Sequence, residues 1–270
     1  MKNMAFKFFL IPLLGCILHG CNLIEYHPYD VNVSYRDINK ENIRKIEETC
    51  AGKTTIRFVW MGDTQRWYDE TEDFVKHVNR RNDIDFVLHG GDISDFGMVK
   101  EFNWIHEDMR ELNVPYVALI GNHDILGNGL YVYLAMYGPL NFSFIAGNTK
   151  FVCLNTNALE FDYSYPVPDF EFIRQEIADT EDRQYDQTIV AMHANPFGEQ
   201  FNNNVAFPFQ HYITVLKNMR FCLHAHTHSL MVNDYFEDGI LYYGCAAMKD
   251  RCYMVFTVTP DSYEYEVVYY

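Results

Sequence analysis

The sequence predicts one α/β domain built on two sheets, and three observations carry that expectation. Short apolar runs alternate with amphipathic segments through the first half of the chain. After about residue 140 strand-like runs become denser. Five successive apolar runs each end in a Gly, Asp, Asn or His motif, at the strand ends where α/β folds place their sites.

The elements follow in order. Residues 22–36 (NLIEYHPYDVNVSYR) are polar and aromatic without a clear period and read as a tether. DINKENIRKIEET offers Asp37 as an N-cap, with Ile38, Ile43 and Ile46 as the apolar face of a surface helix. TTIRFVWM, IDFVLHG and VPYVALI read as strands, separated by the helical segments ETEDFVKHVNRR and VKEFNWIHEDMREL. FSFIAG, KFVCLNT, QTIVAMH, RFCLHAH, GILYYGCA, YMVFTV and YEYEVVYY continue as strands, with helical breaks near 169–180 and 209–218. No repeat, low-complexity tract or interdomain linker interrupts them. The boundaries expected are residues 1–20 as a signal, 21–52 as tether and helix, and 53–270 as the domain.

The N-terminus is read apart from the fold. Lys2 and Lys7 precede an apolar stretch from Phe8 to about Leu18, the pattern of a secretory signal and too short for a stop-transfer span. Gly20-Cys21, with Leu18 three before the cysteine, resembles the lipobox of bacterial lipoproteins. Leu13-Leu14-Gly15-Cys16 also fits, but it would leave an apolar core of only Phe8 to Leu14, broken by Pro12. Cys21 is therefore the expected lipid-bearing residue. The expectation is a chain anchored by lipid in the bacterial cell envelope, at the outer membrane because Asn22 offers no inner-membrane retention signal. An ordinary cleaved signal and release to the periplasm is the alternative.

Composition narrows the partners. A 49% hydrophobic and 16% aromatic chain describes a globular protein, not a disordered one. Its net charge of −16 repels nucleic-acid polymers, so an anionic substrate needs a local positive centre. Bound metal ions supply such a centre. Beyond the signal, Cys50, Cys153, Cys222, Cys245 and Cys252 are too odd a set for a fully paired framework; they read as core fillers, with Cys245 and Cys252 able to pair across a hairpin. Oligomeric state is left open.

The chemistry lies in the polar motifs. Gly62-Asp63-Thr64-Gln65 follows FVWM, Gly90-Gly91-Asp92-Ile93-Ser94-Asp95 follows FVLH, and Gly121-Asn122-His123-Asp124 follows VALI. His193 follows IVAM, and His224, Ala225, His226, Thr227 and His228 follow RFCL. Alone, each Gly-Asp or Gly-Asn pair most often makes a turn. Five in this order deliver carboxylate, amide and imidazole donors, a set suited to Mn²⁺, Fe²⁺ or Zn²⁺.

This pattern resembles the calcineurin-like metallophosphoesterases, whose motifs run D-x-H, G-D-x-x-D, G-N-H-D/E, H and G-H-x-H. The resemblance implies a four-layer αββα sandwich of two mixed sheets flanked by helices, with two divalent ions at the C-terminal strand edges. It implies that Asp92 bridges both ions, that Asp63, Gln65 and His228 complete one site, and that Asn122, His193 and His226 complete the other. Such a pair, roughly 3.5–4 Å apart, lowers the pKa of a bridging water that attacks phosphorus. His123 is then the leaving-group acid, paired with Asp95. Asp124 is expected to pack behind the motif. Asn122 and Arg66 are the candidates for gripping phosphate, and Asn195 and Phe197 for lining the cleft. His224 is expected to be a bystander, and His89 a strand residue.

Four departures qualify the resemblance. Gln65 stands where the family usually has histidine, which predicts a looser first ion or a preference for Mn²⁺ or Mg²⁺. Ala225 replaces a glycine. Phe96 stands where protein Ser/Thr phosphatases carry an arginine, and Asp95 where purple acid phosphatases carry an iron-binding tyrosine, so neither subfamily fits. The expected activity is hydrolysis of phosphomonoesters or phosphodiesters on a small phosphorylated substrate. The alternatives are hydrolysis of a diphosphate-containing envelope metabolite, and a catalytically weak, metal-binding surface lipoprotein.

Overall fold

A computed structural model of the chain describes residues 29–161, 165–179 and 185–270. The signal-like segment, with Cys16 and Cys21, lies outside the described residues. Within them, no helix is long and apolar enough to cross a membrane.

Strand β1 (Ile56–Met61) lies between β10 (Cys252–Val258), antiparallel to it, and β2 (Phe86–His89), parallel to it. β3 (Tyr116–Ala118) extends the sheet beside β2, and β11 (Tyr263–Tyr269) beside β10. The second sheet runs β4 (Phe142–Ala146), β5 (Thr149–Leu154), β6 (Gln187–Met192), β7 (Met219–His224), β9 (Leu241–Gly244) and β8 (Met231–Asn233). Its four central strands are parallel, and β4 and β8 are antiparallel edges.

Side-chain alternation divides each strand between two cores. Phe58 and Trp60 of β1 face the second sheet and join Phe86, Phe151, Ile189 and Phe221 in the inter-sheet core. Val59 and Met61 face outward, against Phe74 and Val75 of α2 (Tyr68–Val78), Phe102 and Ile105 of α3 (Val99–Met109), and Val132 and Met136 of α4 (Gly129–Met136). On the far side, Val152, Val190 and Cys222 pack on Ile173 of α5 (Phe170–Ala178) and Phe209 and Ile213 of α6 (Ala206–Thr214). Helix, sheet, sheet, helix: this is the four-layer αββα sandwich.

The remaining helix, α1 (Ile38–Cys50), is more than the surface helix its sequence suggests. Ile46 and Cys50 are wholly buried in the inter-sheet core. Asn39 accepts from the Ala118 N–H at 3.0 Å and donates to the Ala118 carbonyl at 2.8 Å, while Asn42 donates to the Tyr116 carbonyl at 2.8 Å. These amides satisfy edge strand β3 as a neighbouring strand would. Asp37 occupies the N-cap position at φ 56 but makes no side-chain capping bond. Two elements escaped the sequence reading. α4 is apolar nearly all round, so it shows no amphipathic period, and β8 is three residues long. Cys245 and Cys252 do not pair; both are free and buried, as are Cys50, Cys153 and Cys222.

Asn39→Ala removes both bonds and leaves the buried Ala118 N–H without its acceptor. The expected loss is about 1–3 kcal/mol of stability, read as a lower urea midpoint with unchanged slope; an unchanged midpoint would show that α1 does not hold β3.

Candidate metal centre

The parallel strands of both sheets end on one side of the sandwich, and their loops interlock there. Asp63 N–H donates to the Gly91 carbonyl at 3.0 Å, and Thr64 and Gln65 N–H both donate to the Asp92 carbonyl, at 3.0 and 3.1 Å. Within the second sheet, at the ends of β6 and β7, Ala225 N–H donates to the His193 carbonyl at 3.0 Å. Asp63, Asp92, His226 and His228 all adopt left-handed backbone, at φ 53, 57, 64 and 52. A non-glycine residue there costs roughly 1 kcal/mol or more, strain that persists only where surroundings enforce it. The enforcement is visible at Gly121, where an added Cβ would lie 2.1 Å from the Asp92 nitrogen and Oδ1.

Two donor groups result. Asp92, His193 and His226 each offer a ligand atom within 4.8 Å of the others, and so do Asp63, Asp92 and His228. Asp92 belongs to both. Asn122 joins the first group: its Oδ1 lies 3.0 Å from His193 Nε2 and 3.0 Å from His226 Nδ1. Gln65 joins the second, with Nε2 donating to Asp92 Oδ2 at 3.1 Å. All seven residues expected as ligands therefore meet at one place.

The polar accounting fits divalent cations. Asp63 is fully buried, and neither of its carboxylate oxygens accepts a hydrogen bond among the described residues; Gln65 Oε1 is buried and equally unmet. Burying two carboxylates this close costs several kcal/mol per ion unless cations compensate them. Burial raises the Asp92 pKa, opposed by His193 and reinforced by Asp63. Burial lowers His226 to about 4, leaving the neutral imidazole that metal coordination needs. His228 Nε2 lies 3.3 Å from Asp63 Oδ1, and that carboxylate raises the His228 pKa. His193 Nδ1 donates to the Gly90 carbonyl at 2.8 Å, which leaves the Nε2 lone pair facing Asp92 Oδ1 at 3.4 Å.

Around this set lie supporting groups. His89 is buried and held neutral by burial, at about 4; Gly91 N–H donates to its Nδ1 at 3.1 Å, so its Nε2–H donates to Thr64 Oγ1 at 2.9 Å. It locks two ligand loops together and is no ligand. Asp124 takes four hydrogen bonds, from Ile93 and Gly121 N–H and from both Ser94 N–H and Oγ. It packs behind the motif. His224, buried and also neutral at about 4, contacts the Ala225 carbonyl through Nδ1 at 3.1 Å and stands outside both donor groups. The Ala225 methyl fits because Gly62 and Gly90 carry none; a Cβ at either would come within 3.1 or 2.9 Å of it.

His123 and Asp95 meet differently from the expected carboxylate pairing. His123 Nδ1 donates to the Asp95 main-chain carbonyl at 2.9 Å, and Asp95 Oδ1 stands farther off at 3.6 Å. Arg66 pairs with that same Oδ1 at 2.5 Å. Asn195 is buried and donates to Tyr235 Oη at 3.0 Å, while Phe197, at φ 67, packs on Phe207, Tyr235 and Phe236. These contacts join them to an aromatic cluster and not to the donor groups. Lys249 escaped the sequence reading: exposed, it lies near enough to oppose protonation of His228. Its turn docks on the first motif through the Gly62–Ala247 bridge and the Met248 N–H to Asp63 carbonyl bond. A lone lysine in a polar turn carries no signal that could have found it.

A two-sheet α/β sandwich with two donor groups sharing one aspartate defines a dinuclear metallohydrolase architecture. The family model described as calcineurin-like phosphoesterase matches residues 56–230, and the chain belongs to that family, a phosphoester hydrolase by class. The uncharacterized protein YvnB of Bacillus subtilis is 30% identical over 98 residues, 32% of this chain and 8% of that protein. A probable cyclic nucleotide phosphodiesterase of Xenorhabdus bovienii is 28% identical over 54 residues, 20% of this chain and 22% of that protein. The chain thus spans less than a quarter of either curated relative. A dimetal phosphatase from Danio rerio aligns with TM-score 0.65 at 12% identity, over 78% of this chain and 95% of its own. A purple acid phosphatase from yellow lupin aligns at 0.58 and 14% identity, over 80% and 52%. These structures share the fold.

Asp92→Asn is expected to lose both ions and His226→Ala only one, measured by elemental analysis of dialysed, folded protein. Equal loss in the two would contradict a shared aspartate. Gln65→His is expected to tighten the site of Asp63 and His228; an unchanged titration would exclude Gln65 as a ligand. Chelation of the loaded chain should lower Tm, since a ligand at 100 times Kd contributes about 2.7 kcal/mol.

Proposed function

We propose that the chain hydrolyses phosphomonoesters or phosphodiesters at a site of two divalent ions, with Mn, Fe or Zn as the candidates. Asp63, Gln65 and His228 would hold one ion, Asn122, His193 and His226 the other, and Asp92 both. The observation that carries this reading is the membership of Asp92 in both donor groups, beside an Asp63 whose buried oxygens accept no hydrogen bond. Two such ions supply Lewis acidity, a water of lowered pKa and charge neutralisation for the phosphoryl oxygens.

The chain's own groups supply the rest. Asp92 is held by the His123 N–H on Oδ1 at 3.0 Å and by Gln65 on Oδ2, so its two oxygens are fixed in direction. The His123 ring commits its Nδ1 proton to the Asp95 carbonyl, which leaves Nε2 as the proton-handling atom for a leaving oxygen. Lys249 adds positive charge beside the Asp63 site in a strongly acidic chain, which favours anionic substrates. The named activity of the Xenorhabdus bovienii relative makes phosphodiesters the first class to try. A lipid anchor at Cys21, with placement in the bacterial outer membrane, is part of the same reading; Cys21→Ser should abolish acylation, and persistent labelling would point to Cys16.

The test uses the Mn²⁺- or Zn²⁺-loaded chain with mono- and bis-(p-nitrophenyl) phosphate and an alkyl phosphodiester. Turnover that needs metal is expected, and no turnover with two ions bound would contradict hydrolysis. His123→Ala is expected to keep both ions and lose about 10²–10⁴-fold in kcat on the alkyl ester. Loss of metal instead would sink the leaving-group assignment.

A further inference from the structure

Arg66 follows Gln65 directly and adopts left-handed backbone at φ 59, in the same irregular loop that holds Asp63 at φ 53. Its side chain is 56% exposed, yet its Nη2 reaches Asp95 Oδ1 at 2.5 Å, an atom on a carboxylate only 12% exposed. Asp95 therefore stands between a guanidinium and the His123 imidazole. Its chain neighbours are fixed independently. Phe96 and Met98 N–H donate to Glu101 Oε2 at 2.9 and 3.2 Å, and Ser94 is clamped by Asp124. These bonds fix the loop around Asp95 but do not fix its carboxylate, whose hydrogen bond among the described residues comes from Arg66. The main-chain carbonyl of that same residue receives the His123 proton.

We propose that Arg66 is a positioning residue: by holding the Asp95 carboxylate 3.6 Å from His123 Nδ1, it leaves that proton to the Asp95 carbonyl at 2.9 Å and keeps the ring in one orientation, and it does not itself grip the substrate phosphate. The inference rests on the phosphoester-hydrolase reading above. Two physical points separate it from a phosphate clamp. The guanidinium already has an anionic partner in the free chain, so a phosphate would have to displace Asp95. The contact is through one nitrogen, so a point charge serves nearly as well as a planar fork. The Arg66 side chain lies mostly in solvent and packs in no core, so its removal should leave the fold intact, checked by an unchanged far-UV circular dichroism spectrum.

The consequence depends on the leaving group. A p-nitrophenolate departs without a proton, whereas an alkoxide needs one, so a misoriented His123 penalises only the alkyl ester. On the metal-loaded chain, Arg66→Ala should lower kcat for the alkyl phosphodiester about tenfold, a part of the roughly 10²–10⁴-fold that a leaving-group acid supplies. KM, metal content and turnover of bis-(p-nitrophenyl) phosphate should stay within about twofold, and Arg66→Lys should restore most of the lost rate. Asp95→Asn should add little in the Arg66→Ala background, because the two act as one unit. Imidazole ¹⁵N spectra give a readout apart from activity: the His123 Nδ1–H signal, identified by its absence in His123→Ala, should be present in the unsubstituted chain and exchange-broadened in Arg66→Ala. A raised KM on both esters with unchanged kcat would show Arg66 gripping phosphate and overturn the proposal, as would an unchanged Nδ1–H signal. Failure of the unsubstituted chain to turn over either ester, with the spectral change intact, would overturn the hydrolase reading and leave the positioning of His123 supported.

Discussion

Two carboxylates, Asp63 and Asp92, are buried side by side at the junction of two sheets, and the site's organisation follows from that placement. In a medium of low polarity such a pair repels itself and loses its hydration, a cost of several kcal/mol per ion. The surrounding imidazoles do not repay it: His226 is kept neutral by burial, and His228 reaches one oxygen of Asp63 from a partly exposed position. The uncompensated charge is what makes the pocket a site for cations and, through them, for phosphoryl oxygens. The same logic explains how a chain of net charge −16 can bind an anion: the positive potential is local and supplied by what the carboxylates hold.

Holding the pair in place takes most of the machinery at the strand ends. Four of the candidate ligands adopt left-handed backbone, so their loops must be pinned from behind. Asp124 does this with four hydrogen bonds across the second and third motifs. His89 does it between the first and second, through Thr64 and Gly91. His193 ties one sheet to the other through the Gly90 carbonyl. Arg66 belongs in this list of supports, since it grips Asp95 and not a free cleft. The sandwich beneath is a rigid platform of interleaved aromatic rings, among them Phe58 against Phe151 at 5.1 Å across the sheets.

Much of this was legible in the chain. Apolar runs ending in Asp, Asn or His placed the candidate ligands at strand ends, because parallel strands bury continuous apolar faces and leave chemistry to the loops. The division of the histidine run was readable too: His226 and His228 fall in different donor groups and His224 in neither. What escaped was three-dimensional. Asn39 reads as an ordinary helix polar residue until it meets the edge of β3. α4 lacks an amphipathic period because its open face is apolar too, with Tyr131 and Leu134 exposed opposite the buried Val132, Tyr133 and Met136. The Asp95 carboxylate belongs to Arg66 more than to His123, a choice between two partners that no spacing encodes. Lys249 comes to the site only because β9 and the turn after it return beside the first motif.

The central claim is that one aspartate joins two cation sites. Crystals of the full chain grown with Mn²⁺ or Zn²⁺ and measured on either side of the metal absorption edge test it most directly. The account predicts two anomalous peaks, one bounded by Asp63, Asp92 and His228 and the other by Asp92, Asn122, His193 and His226. A single peak at saturating metal, or two peaks of which only one touches Asp92, would contradict it.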